Sequence, residues 1–211
     1  MNTKETFVIT ISREVGSGGR TVGRKLAEKL GVRYCDKQLI DKLTETFGLT
    51  ASEIEDLKGK KKDRLADLFS KITPEFSPEA FVPKGMEYTP EVTSAEIFSY
   101  ESHFLQSLAE ESSCVIAGRS GFFVFKDHPN KFDVFIHASK ANRISRVMRK
   151  QGLSEKEAGK VIDSVDKARE NYIRQFTSTS RYDLRNYSLV LNMDCLTEDK
   201  AVDVILKAIG D

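Results

Sequence analysis

The segment Ser12-Arg13-Glu14-Val15-Gly16-Ser17-Gly18-Gly19-Arg20-Thr21 joins a short apolar run to an amphipathic one, and it is rich in the residue types that build phosphate sites. Glycines let the backbone curl so that successive N–H groups point inward, and the N-terminus of a following helix adds partial positive charge. Arg20 falls in the first turn of that helix, where a cation opposes the helix dipole by ~0.3–1 kcal/mol unless an anion is bound. Arg13 brings a second positive charge to the same mouth. Without an anion, neither arginine has an evident use. Ser12, Gly16, Ser17, Gly18, Gly19, Arg20 and Thr21 are therefore the candidate phosphate-binding residues.

The strict phosphate-loop pattern G-x-x-x-x-G-K-[ST] is nevertheless broken. Gly19 stands where the lysine belongs, Arg20 and Thr21 follow it, and Arg13 takes the place of the first glycine. Arg20 or Arg13 is the expected substitute for the lysine. The Thr21 hydroxyl is a candidate magnesium ligand.

Charge elsewhere is uneven. The chain has 33 Lys and Arg against 32 Asp and Glu, a formal +1, yet residues 41–111 carry 15 acidic against 8 basic residues and residues 140–185 carry 12 basic against 6 acidic. Seven of those twelve are arginines, including Arg143, Arg146, Arg169, Arg174 and Arg181. The planar guanidinium fork suits bidentate phosphate recognition. A near-neutral total with a local arginine excess fits a small polyanion and argues against a general nucleic-acid binder. Cys35, Cys114 and Cys195 and the three histidines are scattered, with no metal or redox spacing, so all three thiols are expected to be buried.

Short runs must hold these residues in place. Phe7–Ile11, 113–117, 132–136 and 188–191 are apolar and β-branched like strands buried on both faces, with Val32–Cys35 a weaker fifth. Helical spacing follows from Arg20 to a stop at Gly31, from the capping box Ser154-Glu155-Lys156-Glu157 onward, and from Glu198 to Ile209. A second capping box falls at Thr50–Glu53. Strands alternating with helices specify an α/β fold with a parallel sheet and right-handed crossovers. Asp36 and Arg119 each follow a strand, which puts them on the ligand edge of such a sheet. Asp36 reads equally as a helix N-cap. No apolar run is long enough to span a membrane, and the first six residues lack the apolar stretch of a secretory leader, so a soluble, cytoplasmic protein is expected.

With the loop, Leu30-Gly31-Val32-Arg33-Tyr34-Cys35-Asp36, Ile116-Ala117-Gly118-Arg119, Asp163-Ser164-Val165-Asp166-Lys167-Ala168-Arg169 and the tail Asn192–Thr197 in hand, the chain resembles the cytidylate kinase-like family. Ile162 departs from the family's R-D-x-x-D-x-x-R lid pattern. The resemblance implies a three-layer P-loop NTPase fold in a single domain, residues 1–211. Its five-stranded parallel sheet would be built from 5–40, 105–140 and 186–211, with a helical acceptor-binding insertion at about 41–104 and a helical lid at about 140–185. It implies ATP with Mg²⁺ as donor and a nucleoside monophosphate, CMP or dCMP, as acceptor. Arg13, Arg20 and Arg169 would act catalytically, and Arg143 would join the loop on the donor phosphates. Asp36, Lys42, Arg119 and Arg174 would hold the acceptor, with Thr21 and Asp36 toward the metal. Two other readings stand beside this one: a kinase for a different small acceptor, and a nucleotide-binding regulatory protein that lost transfer with the lysine at position 19.

Overall fold

The computed structural model describes residues 1–36 and 94–210, and the Thr50 capping box and Lys42 lie outside them. The chain divides into two units, residues 37–102 and the remainder, and the sheet belongs to the remainder. Five strands, β1 (Val8–Arg13), β2 (Arg33–Cys35), β3 (Cys114–Ala117), β4 (Lys131–His137) and β5 (Leu189–Asn192), form that sheet in the order β2-β3-β1-β4-β5. Every pairing is parallel. The strand that feeds the glycine-rich loop is therefore the central one, flanked by β3 and β4 and buried from Val8 to Ser12.

Strand alternation sorts β1 into two faces. Phe7, Ile9 and Ile11 pack with Val22, Leu26 and Ala27 of α1 (Gly19–Leu30) and with Ala201, Val202, Ile205 and Ile209 of α6 (Glu198–Ile209). Gly31, at φ 65°, closes α1 in the left-handed conformation open to glycine. Lys25–Asp199 and Lys29–Asp203, at 2.6 and 2.7 Å, stitch the two helices along their exposed sides and together contribute little to stability. On the opposite face, Thr10 donates to the buried carboxylate of Asp133 at 2.5 Å. Gly121 of the short α3 (Gly121–Val124) sits so near Thr10 that an added Cβ would lie 3.2 Å from it. Tyr187, Phe122 and Phe135 cluster on this face, with ring centroids 5.1 to 5.4 Å apart. In α2 (Ser94–Glu111), Leu105, Leu108 and Ala109 are buried.

Two further helices lie outside the sheet layers. α4 (Lys140–Gln151) and α5 (Glu155–Thr177) are joined through Gly152 and the Ser154–Glu157 capping box, formed in both directions as its spacing implies. Val147, Ala158 and Ile162 make the seam between them, and Val15 of the glycine-rich loop packs into it. One apolar residue in the loop thus ties its path to the α4–α5 pair.

Cys35 and Cys114 are buried, and burial, with Cys35 as neighbour, pushes the Cys114 thiol up to about 12. Cys195 is exposed, contrary to expectation, because it follows the end of β5 in the turn that leads to α6. No helix among the described residues is long and apolar enough to cross a membrane.

A candidate phosphate-binding active site

The loop leaves β1 at Arg13 and enters α1 through two left-handed glycines, Gly16 at φ 81° and Gly18 at φ 92°. Ser17 is buried and braces the turn from within, its hydroxyl donating to the Glu14 carbonyl at 2.9 Å. Gly18 is the N-cap of α1 and has no side chain to cap it, while the Gly19 amide donates to the Ser17 hydroxyl at 3.4 Å. The positive end of the α1 dipole faces the cleft.

That cleft has a volume of about 310 Å³. Its loop wall comes from Arg13 to Thr21, and its far wall from Arg146, Val147, Lys150 and Gln151 of α4 with Val161, Val165 and Arg169 of α5. Five cations line it, Arg13, Arg20, Arg146, Lys150 and Arg169, against the single carboxylate of Glu14.

Arg13 lies on the α1 face of β1, with its side chain laid along glycines. A Cβ on Gly19 would stand 2.6 Å from Arg13 Cβ, and one on Gly118 would stand 1.8 Å from Arg13 Nη1. Glycine at position 19 thus makes room for the arginine at position 13, a coupling that explains why the lysine is missing. Burial, then the neighbouring Arg169, push the Arg13 guanidinium down to about 9, and Asp36 opposes them. It remains charged at neutral pH, a buried cation that a bound anion would stabilise.

Asp36, buried at the end of β2, is the partner of both loop arginines: Arg20 Nε binds it closely and Arg13 Nη2 lies at 3.6 Å. This corrects the expectation that the two arginines lack a use without an anion. Asp36 answers their charge and fixes their direction. Beside them, Gly118, Arg119 and Ser120 run through three successive positive φ angles, 78°, 56° and 53°. Such strain outside glycine persists only where surrounding structure enforces it, and it brings Arg119 into the electrostatic field of Arg13.

Other expected residues lie elsewhere. Ser12 faces the opposite side of the sheet, hydrogen-bonded with Tyr187. Arg143 is buried, with Asp166 at 2.6 Å and Glu14 at 3.5 Å, rather than lining the cleft. Arg174 is exposed and pairs with Glu170 one turn earlier. Arg146 bonds Glu198 at 2.6 Å and leans on Thr21, whose Oγ1 accepts from it at 3.4 Å. The arginine excess of 140–185 is thus largely answered by local carboxylates, and Arg146 and Arg169 are the members of it that line the cleft.

Thr21 and Asp36 do not form a donor set for magnesium. The Asp36 oxygens face two guanidiniums and the Thr21 hydroxyl faces a third. Among the described residues no group of three or more His, Cys, Asp or Glu stands together as metal ligands.

Sequence reasoning counted Arg181 only within the arginine excess and gave Glu14 no role. Arg181 is buried, donates to the Arg13 carbonyl and stacks over Tyr182 at 5.2 Å. Glu14 accepts from the Ala138 amide at 3.3 Å, tying the loop to the start of α4. Neither position carries a local signal, since both partners are distant in sequence.

A parallel sheet with a glycine-rich loop between its central strand and a helix, opening on a cationic cleft, defines a kinase-like P-loop protein. The chain belongs to the cytidylate kinase-like family, whose model matches residues 8–195. Among solved structures it resembles an uncharacterized protein from Eubacterium ventriosum, with 25% identity and a TM-score of 0.66 over 96% of this chain and 98% of that one. It also resembles a shikimate kinase from Bacteroides thetaiotaomicron, with 16% identity and a TM-score of 0.55 over 95% and 97% of the two chains. A gluconokinase from Sinorhizobium meliloti has 13% identity and a TM-score of 0.53 over 97% and 91%. No curated protein matches the chain.

Proposed function

We propose that the protein transfers the terminal phosphoryl group of ATP to a nucleoside monophosphate, CMP or dCMP on the strength of its family. The observation that carries this reading is the cleft, where a glycine loop and the start of α1 meet five cations and one carboxylate. Four of these cations, Arg13, Arg20, Arg146 and Arg169, are held in place by Asp36, Glu198 and Asp166, so they face the cleft already positioned for a polyphosphate. Phosphoryl transfer asks the protein for alignment and positive charge rather than covalent chemistry. In this reading the loop amides hold the donor phosphates, and Arg13 and Arg169 neutralise charge as the bond from the terminal phosphorus to its bridging oxygen breaks. An acceptor phosphate oxygen forms the new bond, leaving ADP and a nucleoside diphosphate.

Arg119 and Asp36, at the sheet edge beside Arg13, fall on the acceptor side. The segment 41–104, with Lys42, takes acceptor recognition, and 140–185 takes the part of a lid. Magnesium would travel with the nucleotide, and no step depends on a protein-held ion. The aliphatic wall of Val147, Val161 and Val165 suits the uncharged part of the donor.

The test is ATP turnover with a panel of acceptors: the nucleoside monophosphates and their deoxy forms, and small hydroxyl compounds such as shikimate and gluconate. Transfer to CMP or dCMP well above the other acceptors is expected. Transfer to a hydroxyl compound instead would keep the kinase and replace its substrate. ATP binding with no transfer to any acceptor would favour the regulatory reading.

A further inference from the structure

Asp166 sits in α5, 151 residues from the loop in sequence, yet its carboxylate accepts the Val15 amide at 3.1 Å. The same carboxylate receives Arg143 Nη1 at 2.6 Å, and Arg143 Nη1 also reaches the Val15 carbonyl at 3.4 Å. Both ends of one residue in the loop are thereby held, the N–H by Asp166 and the C=O by the arginine that Asp166 itself holds. That closed ring sets the peptide direction just before Gly16, where the loop turns into its left-handed conformation. Arg181 Nη1 and Arg169 Nη1 lie 3.7 and 3.8 Å from the other carboxylate oxygen. Arg169 is three residues on from Asp166, on the same helix face, and lines the cleft.

The geometry points to Asp166 as a positioning residue for polyphosphate binding, acting through Arg169 while it anchors the loop. It rests on the reading of the cleft as a polyphosphate site. A long arginine side chain loses rotamer freedom when it grips an anion, and a carboxylate that already restrains its guanidinium reduces that loss. Arg143 and Arg181 are buried and remain in the framework. Arg169 is 37% exposed and is the one of the three that faces the cleft, so it is the group through which Asp166 reaches a ligand. A carboxylate close to an anion site would by itself repel the ligand. Positioning and repulsion therefore predict opposite signs for its removal.

The experiment is a double-mutant cycle on the full chain, with inorganic tripolyphosphate titrated by calorimetry at fixed salt. Asp166→Asn keeps the shape and an acceptor for the Val15 amide while removing the charge that restrains Arg169. D166N and R169A should each weaken binding about tenfold, the loss of one charge-assisted contact. The double variant should stay within about twofold of R169A alone, because two residues acting through one contact are not additive. Additive losses, unchanged binding or tighter binding in D166N would overturn the inference. Should D166N fail to fold, D166E, which keeps the charge and moves it by one methylene, enters the same cycle under the same criterion. If wild type binds tripolyphosphate and loses it on Arg13→Ala while the cycle is additive, this inference alone fails. If wild type does not bind tripolyphosphate, the reading of the cleft fails and takes this inference with it.

Discussion

Replacing Arg13 by alanine is expected to weaken ATP binding by about 100-fold, a loss typical of a preorganised cation removed from a water-poor phosphate site. The same change at Arg20 is expected to cost only about three- to tenfold, because an exposed ion pair is screened by solvent. The contrast follows from burial: the Arg13 side chain is 13% exposed and the Arg20 side chain 67%, although both pair with Asp36. Arg13 is also pushed down by burial and by Arg169, which Asp36 offsets only in part. An incoming phosphate therefore relieves it most. Arg13→Lys should recover only part of the affinity, since a point charge cannot reproduce the guanidinium fork between Gly118 and Asp36. Titration calorimetry of the three variants with ATP checks this, and equal effects at positions 13 and 20 would contradict it.

Gly16→Ala is expected to be the most damaging single methyl in the loop. The residue stands at φ 81°, and a Cβ would lie 2.7 Å from the Arg143 carbonyl oxygen and 3.1 Å from its carbonyl carbon and Cα. These are backbone atoms of α4, so no side-chain rotation relieves the contact. Gly152→Ala supplies the comparison: its φ of 68° is similar, but nothing lies within 4 Å of the added Cβ. Left-handed strain alone predicts about 1–2 kcal/mol for Gly152→Ala, or ~2–8 °C in melting temperature for a chain of this size. Gly16→Ala should cost at least twice as much, and it should also weaken ATP binding, which Gly152→Ala should leave intact. Melting curves with and without ATP separate the two, and equal melting shifts would show that the Arg143 backbone yields.

The strands and the helices after the loop, after Ser154 and at Glu198–Ile209 were readable because each carries a local signature, whereas Ser94–Glu111 and Gly121–Val124 carry none as clear. The strands are short β-branched runs, the stop at Gly31 needs a positive φ, and the Ser154 box satisfies its own helix start. The loop's two left-handed glycines were readable for the same reason, as was Arg13's place at the mouth of the loop. The partners were not. Asp36 serves both loop arginines only because β2 ends beside the start of α1, and the Asp166 ring exists only because α5 crosses back to residue 15. The arginine excess of 140–185 overstated the ligand for a related reason. Glu14 lies upstream in the loop and Glu198 lies on α6, both outside the counted window, and they answer Arg143 and Arg146. A charge tally along the chain cannot register carboxylates that only folding brings near.

If the loop from Gly16 to Thr21, with Arg13 beneath it, is where the triphosphate binds, its amides must respond to the ligand. Titrating ATP, and separately tripolyphosphate, into ¹⁵N-labelled protein reads those amides one by one. Saturable shifts concentrated at Gly16–Thr21 are expected for both ligands, and they should be absent in Arg13→Ala at the same concentrations. Saturation by ATP with those amides unmoved would place the triphosphate elsewhere and contradict the assignment of the loop.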